Sequence, residues 1–282
     1  MKEKVKNSVF NSMSLTAVRP TVEVLVGLKT TRSTDFDVMP ADRVLTMAKL
    51  KFGERQQRVI DSDRVFIYHP GGIASWVYEN HVSVFRPLTK RAGLVCDFAA
   101  PEQPDAPHCF STMYSGQEKV GAGDNLFDTM SAAGKRAAII YKAGDSAADF
   151  LKKQKADCFV YKSREHCIMK AQELMEQDQH QLILLCDASY DEVLQKKGPE
   201  SKAALQEIRE DVAAFCKIHD MAKTIWKQHN TVLAFAPDHG CHKKLFGRGG
   251  MGTNTPEDRN IKQFFSFLCR EEVVFEETAE NQ

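Results

Sequence analysis

Side chains that can bind metal or move protons collect at three short segments of this chain. They are His69-Pro70-Gly71-Gly72, Asp187 to Asp191, and Pro237-Asp238-His239-Gly240-Cys241-His242. Each directly follows an apolar run: RVFIY, QLILLC and TVLAFA. Carboxylates and imidazoles are the donors that borderline and hard divalent cations take, and they are also general acids and bases. Lys243 and Lys244 follow His242 and raise the local positive potential, which disfavours a cation there. A fourth segment, PDAPHCF, carries Asp105, His108 and Cys109. A thiol at a helix start can be acidified, but the sequence offers Cys109 no base, and it reads as buried. The run FGRGGMG (246–252) could cradle an anion through backbone N–H groups. No Lys-Ser/Thr follows it as in a P-loop, so it reads as a flexible turn.

The elements that position these segments alternate along the chain. RVFIYH (64–69), GLVCDF (93–98), KRAAIIY (135–141), DCFVY (157–161), QLILLCD (181–187), TVLAFAPD (231–238) and KQFFSFL (262–268) read as strands, the fifth and sixth most plainly as continuous apolar runs bounded by polar residues. Helices fill the gaps. One is predicted over 125–135 with Asp124 as its cap, one over 164–178, and a long one over 199–228 with an apolar stripe from Leu205 to Ile225. Alternating strands and helices predict an α/β fold in three layers, a mostly parallel sheet with helices on both faces. In such sheets ligands bind beyond the carboxyl ends of the strands, where the three segments fall. Residues 1–60 read apart from this pattern, with a strand expected over TVEVLVGLKTT (21–31) and a helix after Pro40. The expected division is an N-terminal extension or arm over 1–60 and the α/β domain over 61–282.

Composition narrows the function. The 282 residues hold 38 basic and 38 acidic side chains, a formal net charge of zero. That balance argues against a nucleic-acid binder. No apolar stretch is long enough to span a bilayer, and the basic N-terminus lacks the apolar core of a secretory signal. Eight cysteines form no C-x-x-C pair, and several sit in apolar runs, so buried free thiols in a reducing cytoplasm are expected. The expectation is a cytoplasmic chain that engages neither membrane nor nucleic acid.

The order of the motifs resembles the alkaline-phosphatase superfamily, which includes nucleotide pyrophosphatases and phosphopentomutases. RVFIYHPGG is similar to that family's first metal-binding strand, and PDAPHCFSTMYSG to its nucleophile segment. DNLFDTMSAAGKRAAIIY is similar to the helix and strand that follow. YDEVLQKKGPES resembles its Asp-x-x-x-His-x-x-Gly-Pro element, NTVLAFAPDHGCH its Asp-His-Gly strand, and GGMGTNTPEDRNI its late Gly-x-His-Gly element. The resemblance implies two divalent metals that clamp a phosphoryl group and activate a hydroxyl nucleophile. It places the expected first-strand Asp at Gly71 or Gly72, the nucleophile at Ala106, one ligand pair at Asp191 and Gln195, another at Asp238 and His239, and the late His at Met251. Asp191, Asp238 and His239 keep the family's residue types; the other positions do not. His242 is an additional candidate ligand, because family members often carry a His nearby. Asp105, beside Ala106, is a candidate phosphoryl acceptor. Each surviving residue also has a structural use: Asp191 or Asp238 as the cap of a turn, His239 as a buried hydrogen-bonding side chain. The expectation is a non-catalytic member that uses the relict cleft or the N-terminal arm for binding or assembly, with a small anionic ligand, a protein partner or a homo-oligomer as its partner. The alternative is a metal-dependent hydrolase of phosphate or related esters with a reorganised site for one zinc or manganese ion. No cofactor is otherwise implied.

Overall fold

A computed structural model describes residues 9–29, 41–56, 59–118 and 124–271. Its centre is an eight-stranded sheet. In chain order the strands are β1 (Met13–Ser14), β2 (Arg64–Pro70), β3 (Leu94–Ala99), β4 (Ala137–Lys142), β5 (Asp157–Tyr161), β6 (Leu182–Asp187), β7 (Thr231–Phe235) and β8 (Asn260–Leu268). Their spatial order is β1-β3-β8-β7-β2-β6-β4-β5. Every neighbouring pair is parallel except those of β8, which runs antiparallel to both β3 and β7. The mostly parallel α/β sheet expected from the sequence is present, and the seven strands expected from residue 64 onward form.

Strand side chains alternate between two cores. Val65, Ile67, Leu182, Leu184, Val232 and Ala234 face one; Phe66, Tyr68, Ile183, Leu185, Leu233 and Phe235 face the other. A strand buried on both faces has no polar side to show, which is why these segments are continuously apolar. The first face is covered by α1 (Val18–Leu25), α2 (Asp42–Phe52), α3 (Ala106–Ser115) and α4 (Leu126–Ala132). The second is covered by α5 (Arg164–Gln177), α6 (Ser189–Lys197) and α7 (Lys202–Ile225). Among the described residues no helix is long and apolar enough to cross a membrane.

The structure corrects two local expectations. The segment expected as a strand over 21–31 is helical through Leu25, and residues 30–31 lie outside the described set. Val18, Val22, Leu25 and Val26 are buried at helical spacing, and Arg19 pairs with Glu23 one turn on at 2.8 Å. Burial of that stripe outweighs the strand preference of valine. The 125–135 helix is capped by Asn125, not Asp124. Asn125 Oδ1 accepts from the Phe127 and Asp128 N–H groups, and the Asp128 carboxylate accepts from Asn125 N–H. Within the first sixty residues, β1 joins the sheet edge beside Phe98 and Ala99, and α1 and α2 contribute to the first core.

Candidate functional site

Strand register brings the three segments together. His69 lies opposite Cys186 and Pro70 opposite Asp187 on one side of β2, while Tyr68 lies opposite Phe235 on the other. The chain therefore leaves three adjacent strands side by side, through Gly71, Ala188 and Ala236. Gly71, Asp191, Asp238, Asp145 and the first residue of α3, Ala106, line one crevice at this end of the sheet.

At its floor is a buried charge triad. His239 Nε2 lies 3.4 Å from Asp191 Oδ2 and 3.7 Å from Asp238 Oδ2, and all three side chains are almost fully buried. Asp238 Oδ1 accepts the His239 N–H at 3.0 Å, and His239 Nδ1 donates to the Gly240 carbonyl at 2.9 Å. Burial acts to lower the His239 pKa, but the carboxylates of Asp238 and Asp191 override it and raise it to about 10. Burial raises Asp238 to about 6, against the opposing pull of His239. His239 therefore holds its proton at neutral pH, beside the two aspartates. Asp191 Oδ1 nevertheless has no hydrogen-bond partner.

Two further residues belong to this end of the sheet. His69 is buried, with Nδ1 2.7 Å from the Ala236 carbonyl and Nε2 2.5 Å from Tyr114 Oη. Nδ1–H therefore donates to the carbonyl and Nε2 accepts from the phenol. Burial lowers its pKa to about 4, so it stays neutral. Asp145 follows β4, and its carboxylate accepts the Ala147 N–H at 2.8 Å. Burial, with Asp238, Asp191 and Asp187 adding to it against that hydrogen bond, raises it to about 7. Sequence reasoning singled out the His69 segment but not Asp145. The signal that finds Asp145 is its place just past the carboxyl end of a strand.

The other expected site residues are distributed as follows. Asp191 sits in the first turn of α6 and does not cap the turn before the long helix; Ser201 caps α7 by accepting the Ala204 N–H. Asp105 is the N-cap of α3, accepting from His108 N–H at 3.0 Å and lying 2.6 Å from His108 Nδ1. Cys109 is buried, and burial with the nearby Asp238 pushes its thiol well up. His242 turns to Asp258, with Nδ1 2.9 Å from both carboxylate oxygens. Gln195 is exposed on α6. Met251 packs half-buried against the second core and does not line the crevice.

The architecture matches solved structures. The C-terminal periplasmic domain of phosphoethanolamine transferase EptC from Campylobacter jejuni aligns with a TM-score of 0.55 at 14% identity, over 73% of this chain and 80% of that one. A mutant of TAB5 alkaline phosphatase aligns at 0.52 and 9% identity, over 73% and 91%. The chain has the alkaline-phosphatase fold. Murine ectonucleotide pyrophosphatase/phosphodiesterase 5 shares it at a TM-score of 0.51 and 15% identity, covering 65% of this chain and 58% of that one. No protein-family profile and no curated protein matches the sequence.

The sequence resemblance implies a two-metal centre, and the positions it names are packed as follows. A side chain added at Gly71 would place its Cβ 2.3 Å from Asp191 Oδ2, so Asp191 already fills the space a first-strand Asp would need. Gly72 has a left-handed φ of 66°, and a Cβ there would lie 2.0 Å from Asp191 Oδ1. Ala106 offers only a methyl group. Among the described residues no group of three or more His, Cys, Asp or Glu side chains is placed to hold an ion. The packing makes a prediction. Gly71→Ala should force Asp191 away from His239 and cost ~1–3 kcal/mol, as overpacking of a tight site does. The same change made in an Asp191→Ala background should cost distinctly less, with a coupling above ~0.5 kcal/mol in a urea-unfolding double-mutant cycle. Additive effects would mean that Asp191 does not occupy that space.

Proposed function

We propose that the chain is a non-catalytic member of the alkaline-phosphatase superfamily with a binding or assembly role. The observation that carries this reading is the filled crevice. Asp191 occupies the space beside Gly71, the first helical position of α3 is Ala106, and the cation between the carboxylates is the protein's own imidazolium. In phosphoryl transfer the protein's contribution is positioning and charge stabilisation around the transferred group. A site with a methyl group at the expected nucleophile position, and with His239 already held between the carboxylates, retains little of either. The crevice is suited to a small anionic ligand only if His239 is released from one carboxylate.

One observation favours a second reading, a metal-dependent hydrolase of phosphate or related esters with a reorganised one-metal site. Asp191 Oδ1 and His239 Nε2 are buried polar atoms without a hydrogen-bond partner, a condition a ligand can relieve. Metal would have to displace the His239 proton. Elemental analysis of the purified chain, together with an aryl-phosphate assay with and without Zn²⁺ and Mn²⁺, separates the readings. The first expects substoichiometric metal and no turnover above buffer; the second expects close to one ion per chain.

A further inference from the structure

The hairpin that follows the crevice exposes an apolar tip in a basic setting. His242–Lys243 pairs antiparallel with Gly249–Gly250. At the turn Leu245 is 83% exposed and Phe246 is 99% exposed, the two most exposed large hydrophobic side chains among the described residues. Phe246 has φ of 62°, a left-handed conformation that a bulky side chain adopts only under strain. Nothing among the described residues compensates for that strain by burying the ring. A fold that needed only a turn here would place glycine at 246 as well as at 247.

The charges around the tip are of one sign. Lys243, Lys244 and Arg248 flank it, and no acidic residue lies between His242 and Arg248. All three cations are exposed. Lys243 pairs with Glu200, while Lys244 and Arg248 have no ion pair among the described residues. The base of the hairpin rests on the end of α6: added Cβ atoms at Gly198 and Gly249 would lie 2.2 Å from the Gly247 carbonyl oxygen and 2.6 Å from the Leu194 carbonyl oxygen. The exposed Lys196 and Lys197, in the last turn of α6, therefore belong to the same end of the molecule. The chain-wide charge balance hides this local excess.

An apolar tip that projects fully into water, flanked by Lys243, Lys244 and Arg248, the last two without an ion pair among the described residues, matches the interface of an anionic bilayer. There the aromatic and aliphatic side chains sit at the headgroup and acyl boundary, and lysine and arginine meet lipid phosphates and carboxylates. We propose that the 242–250 hairpin is an interfacial anchor for membranes that carry anionic lipid. This departs from the expectation, drawn from the lack of an apolar stretch long enough to span a bilayer, that the chain engages no membrane. It is independent of whether the crevice is catalytic. A nucleic acid would also attract the cations, but it would leave Leu245 in water, which makes the bilayer the better match.

The test is co-sedimentation of the full chain with vesicles of phosphatidylcholine alone and of phosphatidylcholine containing phosphatidylserine. Binding is expected only with phosphatidylserine, and 0.5 M salt should weaken it. The double variant Leu245→Ser/Phe246→Ser should weaken binding about tenfold or more, since two buried apolar side chains are lost. Lys244→Ala/Arg248→Ala should weaken it by roughly tenfold or more at low salt. These side chains lie on the surface, so both variants should keep the thermal midpoint of the parent. The proposal is overturned by no sedimentation of the parent with phosphatidylserine vesicles, by equal sedimentation with both compositions, or by unchanged binding in the Leu245→Ser/Phe246→Ser variant. A light-scattering mass that falls from dimer to monomer in that variant, without any vesicle binding by the parent, would assign the tip to self-association and would also overturn it. Tight oligonucleotide binding lost in Lys244→Ala/Arg248→Ala, with no vesicle binding, would do the same in favour of nucleic acid.

Discussion

Replacing His239 by alanine should destabilise the fold by ~3–5 kcal/mol at pH 7, the range for removing one partner of a buried ion pair. The variant leaves Asp191 and Asp238 facing each other at the carboxyl ends of the central strands, both almost fully buried, with their cation gone. Urea unfolding of parent and variant measures the difference; a loss below ~1 kcal/mol would mean that the triad is not charged in the folded state. The parent itself should show the linkage. His239 holds its proton to about pH 10 when folded, whereas in the unfolded chain it releases it near the ordinary histidine value. A raised folded pKa contributes stability that is complete below the unfolded pKa and is lost as pH rises through the folded one. Thermal stability should therefore fall between pH 7 and pH 9. The neutral variant Asp191→Asn/Asp238→Asn/His239→Gln removes the titrating groups and should flatten that fall. An equally steep fall in the neutral variant would assign it to other groups.

Arg164→Met should have a comparable effect, ~3–5 kcal/mol, because it strips the cation from a cluster of four acids. The Arg164 guanidinium reaches Asp187 at 2.5 Å, Glu210 at 2.8 Å, Asp211 at 3.0 Å and Glu207 at 3.1 Å. Asp187 and Asp211 are fully buried, and Tyr68 Oη donates to Asp211 at 2.9 Å. Burial and the neighbouring Asp187 raise the Asp211 pKa well above its ordinary value, with Arg164 as the main opposing charge. One side chain thus ties the start of α5, the end of β6 and the middle of α7 together beneath the crevice. Adding Asp211→Asn to Arg164→Met should recover part of the loss, since one uncompensated charge disappears. Failure of the second change to recover any stability would show that the lost packing of the arginine stem, not the stranded carboxylate, dominates.

The order of elements was legible because burial on two faces writes itself into a sequence as unbroken apolar runs. RVFIY, LILLC and TVLAF could be nothing else at that length. The convergence of Gly71, Ala106, Asp191 and Asp238 was expected from the motif order that carries the family resemblance, and Met251, expected with them, lies outside the crevice. The N-terminal helix was hidden because Val22, Val24 and Val26 carry strand propensity, and only the core they meet reveals that alternate residues do not share a face. Asp145 was missed because a lone aspartate after a strand looks like any turn residue. The role of Asp191 was also hidden. Sequence places it four residues before Gln195, but only the structure shows its carboxylate in the space beside Gly71 and its contact with His239. The sequence marked Lys243 and Lys244 as a positive pair and 246–252 as a turn; the full exposure of Leu245 and Phe246 on a hairpin shows only in the structure.

The most direct test of the non-catalytic reading is hydrolysis of an aryl phosphate and an aryl phosphodiester by the purified chain, without added metal and with Zn²⁺ or Mn²⁺. Loss of a nucleophile and of transition-state charge stabilisation each typically costs orders of magnitude in rate. The account therefore predicts no turnover above the buffer blank under any of these conditions, and none that Asp238→Asn changes. Turnover that rises with Zn²⁺ or Mn²⁺ and disappears in a folded Asp238→Asn variant would contradict it and place a working one-metal site in the crevice.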